Sequence, residues 1–271
     1  FNVGAATFSG GGTGTNDTID VNADVTAATT LTIQNAALVD LADSVDLTTT
    51  NGALSVATNV TAVNLSGANG STNVIDGNGN ALVTLANLTD TNNPNLTVNS
   101  EGSLTLAGAD LGTGTHSFTA DNNNDGTATL TVNDSGTFNV GAATFSGGGT
   151  GTNDTVDINA DVTAATTLTV QNAATVDLAG GVDLTATNGA LNLVTSVAAI
   201  NLSGATGSTN TIDGNGNAPV TLANITATFS PNLTVNSEGA VTMASANIGT
   251  SGSMSIAVDN NDNGTQAGTF G

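Results

Sequence analysis

The sequence holds no lysine, arginine, cysteine, tryptophan or tyrosine. Without a basic side chain there are no Lys or Arg ion pairs and no basic footprint for nucleic acid or an anionic membrane, so a nucleic-acid partner is not expected. The lack of cysteine excludes a disulfide scaffold, a thiolate metal site and a cysteine nucleophile. Aromatic residues make up 3% of the chain, all of them Phe. Sugar-cleaving sites generally build on aromatic platforms and often on Lys or Arg, so an enzyme is not expected. No apolar run approaches the roughly 18 residues of a membrane span.

What is present is acidic and patterned. Twenty-two Asp and Glu give the 271 residues a net charge of −22, yet charged residues are only 8% of the chain, against about 25% in ordinary globular proteins. The polar surface must therefore be mostly Thr, Asn and Ser. The acidity implies repulsion between neighbouring molecules and attraction for cations such as calcium. Hydrophobic residues reach 38%, and their regular placement argues against disorder.

The stretch FNVGAATFSGGGTGTND at 1–17 recurs unchanged at 138–154. A catalyst needs one copy of its site, whereas a stacked structure needs many copies of its unit. Two copies follow, 1–137 and 138–271. Between them Ile19 becomes Val156, Val21 becomes Ile158, Ile33 becomes Val170, Leu88 becomes Ile225, Leu106 becomes Met243 and Leu111 becomes Ile248. Each swap keeps an aliphatic side chain of similar volume, which a packed interior tolerates best. The chain opens on Phe1, and AGTFG at 267–271 resembles SGTFN at 135–139. Both features suggest a piece of a longer array.

Aliphatic pairs two residues apart, such as Leu31/Ile33, Val39/Leu41, Leu54/Val56, Leu96/Val98 and Leu130/Val132, place both members on one face of a strand. Thr between them suits the solvent side. One frame recurs at 31–41, 96–106, 130–140, 168–178 and 233–243: Leu-Thr-(Ile/Val), five small or polar residues, then two apolar residues one apart. It reads as strand, tight corner, strand, with Asn and Gly taking the corner's unusual dihedrals. The spacing predicts an all-β chain with little or no helix: a parallel β-helix (β-solenoid) built from two tandem repeats of about 137 residues. The rival is a string of immunoglobulin-like sandwiches. At roughly 20–25 residues per turn each copy holds about six turns, which at about 4.8 Å per turn advance about 30 Å.

The L-x-(V/I) strands, the Asn/Gly corners and the Thr-rich, aromatic-poor texture resemble the parallel β-helix exoproteins of bacteria, the autotransporter passengers and filamentous-haemagglutinin-type adhesins. The resemblance implies a right-handed β-helix, secretion across a cell envelope, and an adhesive or structural role at the surface. The complete lack of Lys and Arg departs from that family.

Candidate chemistry is sparse. DNNNDG at 121–126 offers Asp121, Asn123 and Asp125 before a turn-forming Gly126, and the second copy offers Asp259, Asn261 and Asn263. Calcium takes several oxygens, and alternate residues of a turn can aim them at one point. The distal acid that completes such a loop is missing. No cofactor is required, and calcium is the one the residues suggest. GGTGTNDTI at 11–19 and GGTGTNDTV at 148–156 approach a calcium nonapeptide, but Asn16 and Asn153 break the spacing. His116 is the lone histidine. Aligning TGTHSF with TSGSMS sets it against Ser253, and it reads as a solvated loop residue. Thr pairs such as Thr30/Thr32 and Thr129/Thr131 suggest a flat Thr array only if they fall in register on successive turns, which their irregular spacing argues against.

The expected role is a structural repeat protein of an extracellular filament, sheath or cell-surface stalk, self-associating or joined to further copies of the repeat. The alternative is an adhesin whose loops bind cell-surface glycans or partner cells. Saturable binding to glycans would favour the second, filament formation the first.

Overall fold

A computed structural model describes residues 1–271 apart from 12–15, 134–136, 149–152 and 262–265. Among the described residues there is no helix, and every strand pairing is parallel. The chain winds as a β-solenoid of about 11 turns. Immunoglobulin-like sandwiches, which rest on antiparallel sheets, are thereby ruled out.

Each turn makes three strand passages, and each passage stacks on the one a full turn earlier, giving three faces. Face 1 begins at Asn2–Val3, face 2 at Ala6–Ser9 and face 3 at Thr18–Val21. The inward column of face 1 runs Val25, Leu47, Ile75, Val98, Phe118, Phe145 and Val170. On face 2 it runs Leu31, Leu54, Val83, Leu104, Leu130, Val156 and Val176. On face 3 it runs Val39, Val63, Leu88, Ala109, Phe138, Val162 and Leu184. All of these side chains are buried. A fully buried Leu, Ile or Val contributes about 1.5–3 kcal/mol relative to exposure, so the columns carry the fold.

Turn length varies, from 20 residues between Leu96 and its partner His116 to 29 between Leu191 and Val220. The corners absorb the difference. Left-handed backbone recurs there at Asn35 (φ 55°), Asn59 (φ 54°) and Asn172 (φ 53°), residues whose short amide side chains tolerate it. Asn59 Nδ2 donates to Asn35 Oδ1 at 2.8 Å, and Asn35 Nδ2 donates to Ser9 Oγ at 3.1 Å. Carboxylates extend the ladders similarly. Asp24 Oδ1 accepts the N–H of Asp46, and Asp46 Oδ1 accepts the N–H of Val74, both at 3.1 Å. Asp161 and Asp183 repeat the pair in the second copy. An acidic side chain thus finds a use in this chain without a basic partner.

The stack runs unbroken past residue 137, with Phe138 between Ala109 below and Val162 above. Among the described residues seventeen passages precede Phe138–Val140, one short of six turns, so equivalent residues stand one face apart. Val25 lies on face 1 and Val162 on face 3, Leu31 on face 2 and Leu168 on face 1, Val39 on face 3 and Val176 on face 2. The register also corrects the reading of the last residues. Gly268–Phe270 stacks on Val241–Met243 as Leu130–Val132 stacks on Leu104–Leu106, so Phe270 answers to Val132 and not to Phe138.

Candidate functional site

Two regions stand out, a corner that gathers acids and a stripe of hydroxyls. The corner follows strand Thr115–Thr119. Asp121 has left-handed backbone (φ 48°) and is 1% exposed. Its carboxylate accepts the N–H of Asp125 at Oδ1, 3.1 Å, and of Gly126 at Oδ2, 3.4 Å. Asn123 and Asp125 are exposed and turn elsewhere: Asn123 Nδ2 donates to Asn80 Oδ1 at 3.2 Å, and Asn80 Nδ2 donates to Asp125 Oδ2 at 3.1 Å. A polar cavity of about 250 Å³ lies here, its lining including Asn80, Glu101, Ser103, Asp121 and Asp125. The Glu101 carboxylate accepts the N–H of Gly79.

Sequence spacing therefore finds Asp121 but not the acid it meets from the next turn. That acid is Asp154, fully buried. Its Oδ1 accepts the N–H of Ala128 at 2.9 Å, while Oδ2 has no partner among the described residues. Burial pushes the Asp154 carboxyl above the usual carboxylate range, the Ala128 N–H pulls against this, and Asp121 adds to the rise. Asp154 closes the repeated 17-residue stretch, and only the phase of the turns reveals whom it meets. In the second copy Asp259 holds the place of Asp121, with φ 54°, and Asn261 is exposed; Asn263 lies outside the described residues, as do parts of both Gly-rich stretches. Among the described residues no three His, Asp or Glu converge on a point that would hold a metal ion.

His116 is not a solvated loop residue. It lies in a strand of face 1, between Leu96 and Ala143, and is 0% exposed, with neither ring nitrogen hydrogen-bonded among the described residues. Burial lowers its pKa to about 4. Its structural counterpart is Met254, which stacks on Leu233 as His116 stacks on Leu96, rather than Ser253. The apolar type of Met254, although that side chain is itself 46% exposed, is the sequence signal for an inward position at His116.

The Thr residues do fall in register. On face 2 the outward column runs Thr7, Thr32, Ser55, Thr84, Thr105 and Thr131. On face 1 it runs Thr97, Ser117, Thr144, Thr169, Asn192, Thr221, Thr242 and Thr269. The sequence spacing is irregular because the corners differ in length, while the strands between them align. No Asp or Glu lies in the face 1 strands that carry this column. Elsewhere acids stack on one another, as Asp20 on Asp40 and Asp157 on Asp177. Burial and then Asp177 raise the Asp157 carboxyl, against a bond from Asn159.

No protein-family model, curated protein or solved structure matches this chain.

Proposed function

We propose that this protein is a structural rod, a stretch of an extracellular or cell-surface filament, sheath or stalk of bacterial type, akin in role to the autotransporter and filamentous-haemagglutinin-type exoproteins. The observation that carries the reading is the stack itself: parallel ladders continue through the copy junction at Phe138 with no change of architecture. Its mechanism is passive. Aliphatic columns hold the turns together, and the acidic, Thr- and Asn-covered exterior keeps rods apart. Diffraction from aligned material tests it. A meridional spacing near about 4.8 Å is expected, because the strands lie across the axis. Failure to assemble, or that spacing on the equator, would sink the filament.

A second reading, adhesion to neutral glycans, is favoured by the face 1 hydroxyl column, a carboxylate-free stripe on a molecule of net charge −22. Saturable binding on a glycan array, abolished by Thr144→Val with Thr169→Val, would establish it. Neither reading calls for catalysis.

A further inference from the structure

We propose that Asp121 and Asp154 form a divalent-cation site, taking a hard ion of the calcium class, that ties the turn of Thr115–Thr119 to the turn above it. Both carboxyls are buried, at 1% and 0% exposure, and they come from successive turns. Among the described residues Asp154 Oδ2 has no hydrogen-bond partner, and the Asp121 carboxyl lies close enough to act on the Asp154 carboxyl. Two carboxylates brought together out of water, unless they share a proton, need a counter-charge. The chain supplies none: it has no Lys or Arg, and its one His is buried between Leu96 and Ala143. A cation from solvent meets the need. It has a way in, because Asp121 lines the polar cavity beside Asn80 and Ser103, and water completes the ligand set of a hard ion. Close packing frames the place, since a Cβ on Gly148 would collide with the Asp121 carbonyl oxygen.

The repeat gives the pair a meaning. Asp154 answers to Asp17, and Asp259 answers to Asp121 by register. Each copy thus carries one acid near its start and the other near its end, and the two meet where one copy follows another. The cation would fasten that junction.

The test uses the whole chain at pH 7 and constant ionic strength, with calorimetric titration of calcium and thermal melting in calcium against chelator. One saturable site is expected, with a Kd of about 10⁻⁴–10⁻³ M. Asp154→Asn should weaken it at least about tenfold by removing ligand charge, while Asp17→Asn leaves it intact. Equal calcium response in all three proteins means diffuse screening of the acids and overturns the site. Absence of saturable binding, with Asp154→Asn melting above wild type, means the pair shares a proton and also overturns it. If Asp154→Asn does not fold, directly excited terbium luminescence on the wild type decides. Saturable emission displaced by calcium supports the site, and unsaturable emission overturns it.

Discussion

Phe118 and Phe145 stack across successive turns with ring centroids 5.5 Å apart and planes 19° from parallel. Phe138 closes the triangle from face 3 at 5.6 and 5.5 Å. Phe1 and Phe8 are the same letters of the repeated stretch, yet their rings are 6.1 Å apart and Phe1 is 67% exposed. Phe145→Ala should therefore cost about 3–5 kcal/mol, the range for a buried Phe. Phe8→Ala should cost less than half of that, because Phe8 is only partly buried. Urea midpoints of the two variants check the contrast.

His116 gives a pH dependence of definite sign. Its folded pKa is about 4 against an ordinary 6.5, so between these values the unfolded chain binds the proton and the folded chain does not. Stability is full above the ordinary value and falls as pH drops toward 4, by roughly 3 kcal/mol over that window. His116→Met, the residue at the equivalent position, should abolish the loss. The carboxyls of Asp90, Asp154 and Asp157, each raised chiefly by burial, act the other way. The variant should thus melt at least as high at pH 4.5 as at pH 7, and melting curves across that range test it.

Asn73 is fully buried and donates through Nδ2 to the carbonyls of Ala42 at 2.8 Å and Val45 at 3.1 Å. Asn210 does the same to Ala179 and Val182. Asn73→Ala should cost about 1–3 kcal/mol for the orphaned carbonyls. Asn73→Asp should cost more at pH 7, about 3–5 kcal/mol, because a carboxylate would face two carbonyl oxygens. Acid should restore part of that loss by giving the side chain an O–H to donate. Thermal melts at two pH values distinguish the variants.

Gly4 and Gly141 are also equivalent letters in different surroundings. A Cβ on Gly4 meets nothing, whereas one on Gly141 would collide with the Gly114 carbonyl oxygen. Gly4→Ala should be neutral or slightly stabilising, by up to about 1 kcal/mol through the unfolded chain. Gly141→Ala should destabilise by about 1–3 kcal/mol or more, as overpacking does. Paired denaturation curves measure both.

Much of the fold was written in local pattern. Leu31/Ile33, Leu54/Val56 and Leu130/Val132 are buried pairs because period-2 spacing is fixed by the pleat of the strand itself. The corner frame held where it was expected, as at Asn35 and Asn172, for a reason equally local, the left-handed turn. What stayed hidden depends on which turn lies above which. Asp154 meets Asp121 from 33 positions away, and Thr144 aligns with Thr169 although the corners differ in length. His116 looked polar by type and lies in the core by position, as its stacking partners Leu96 and Ala143 show. Register between turns is set by how much chain the corners take up, and corner residues announce a bend without announcing its length.

Seventeen strand passages do not divide by three, and this gives the rod a property that no single turn has. An array of such units would rotate its pattern by a third of a revolution at every copy and regain its starting orientation after three, about 80 Å along the axis at about 4.8 Å per turn. A rod whose unit closed on whole turns would keep one side rich in hydroxyls and another rich in acids. It would have a preferred plane of bending and a preferred direction of approach. Here the remainder averages both away: flexural stiffness becomes equal around the axis, and a partner arriving from any azimuth meets the same chemistry within three units.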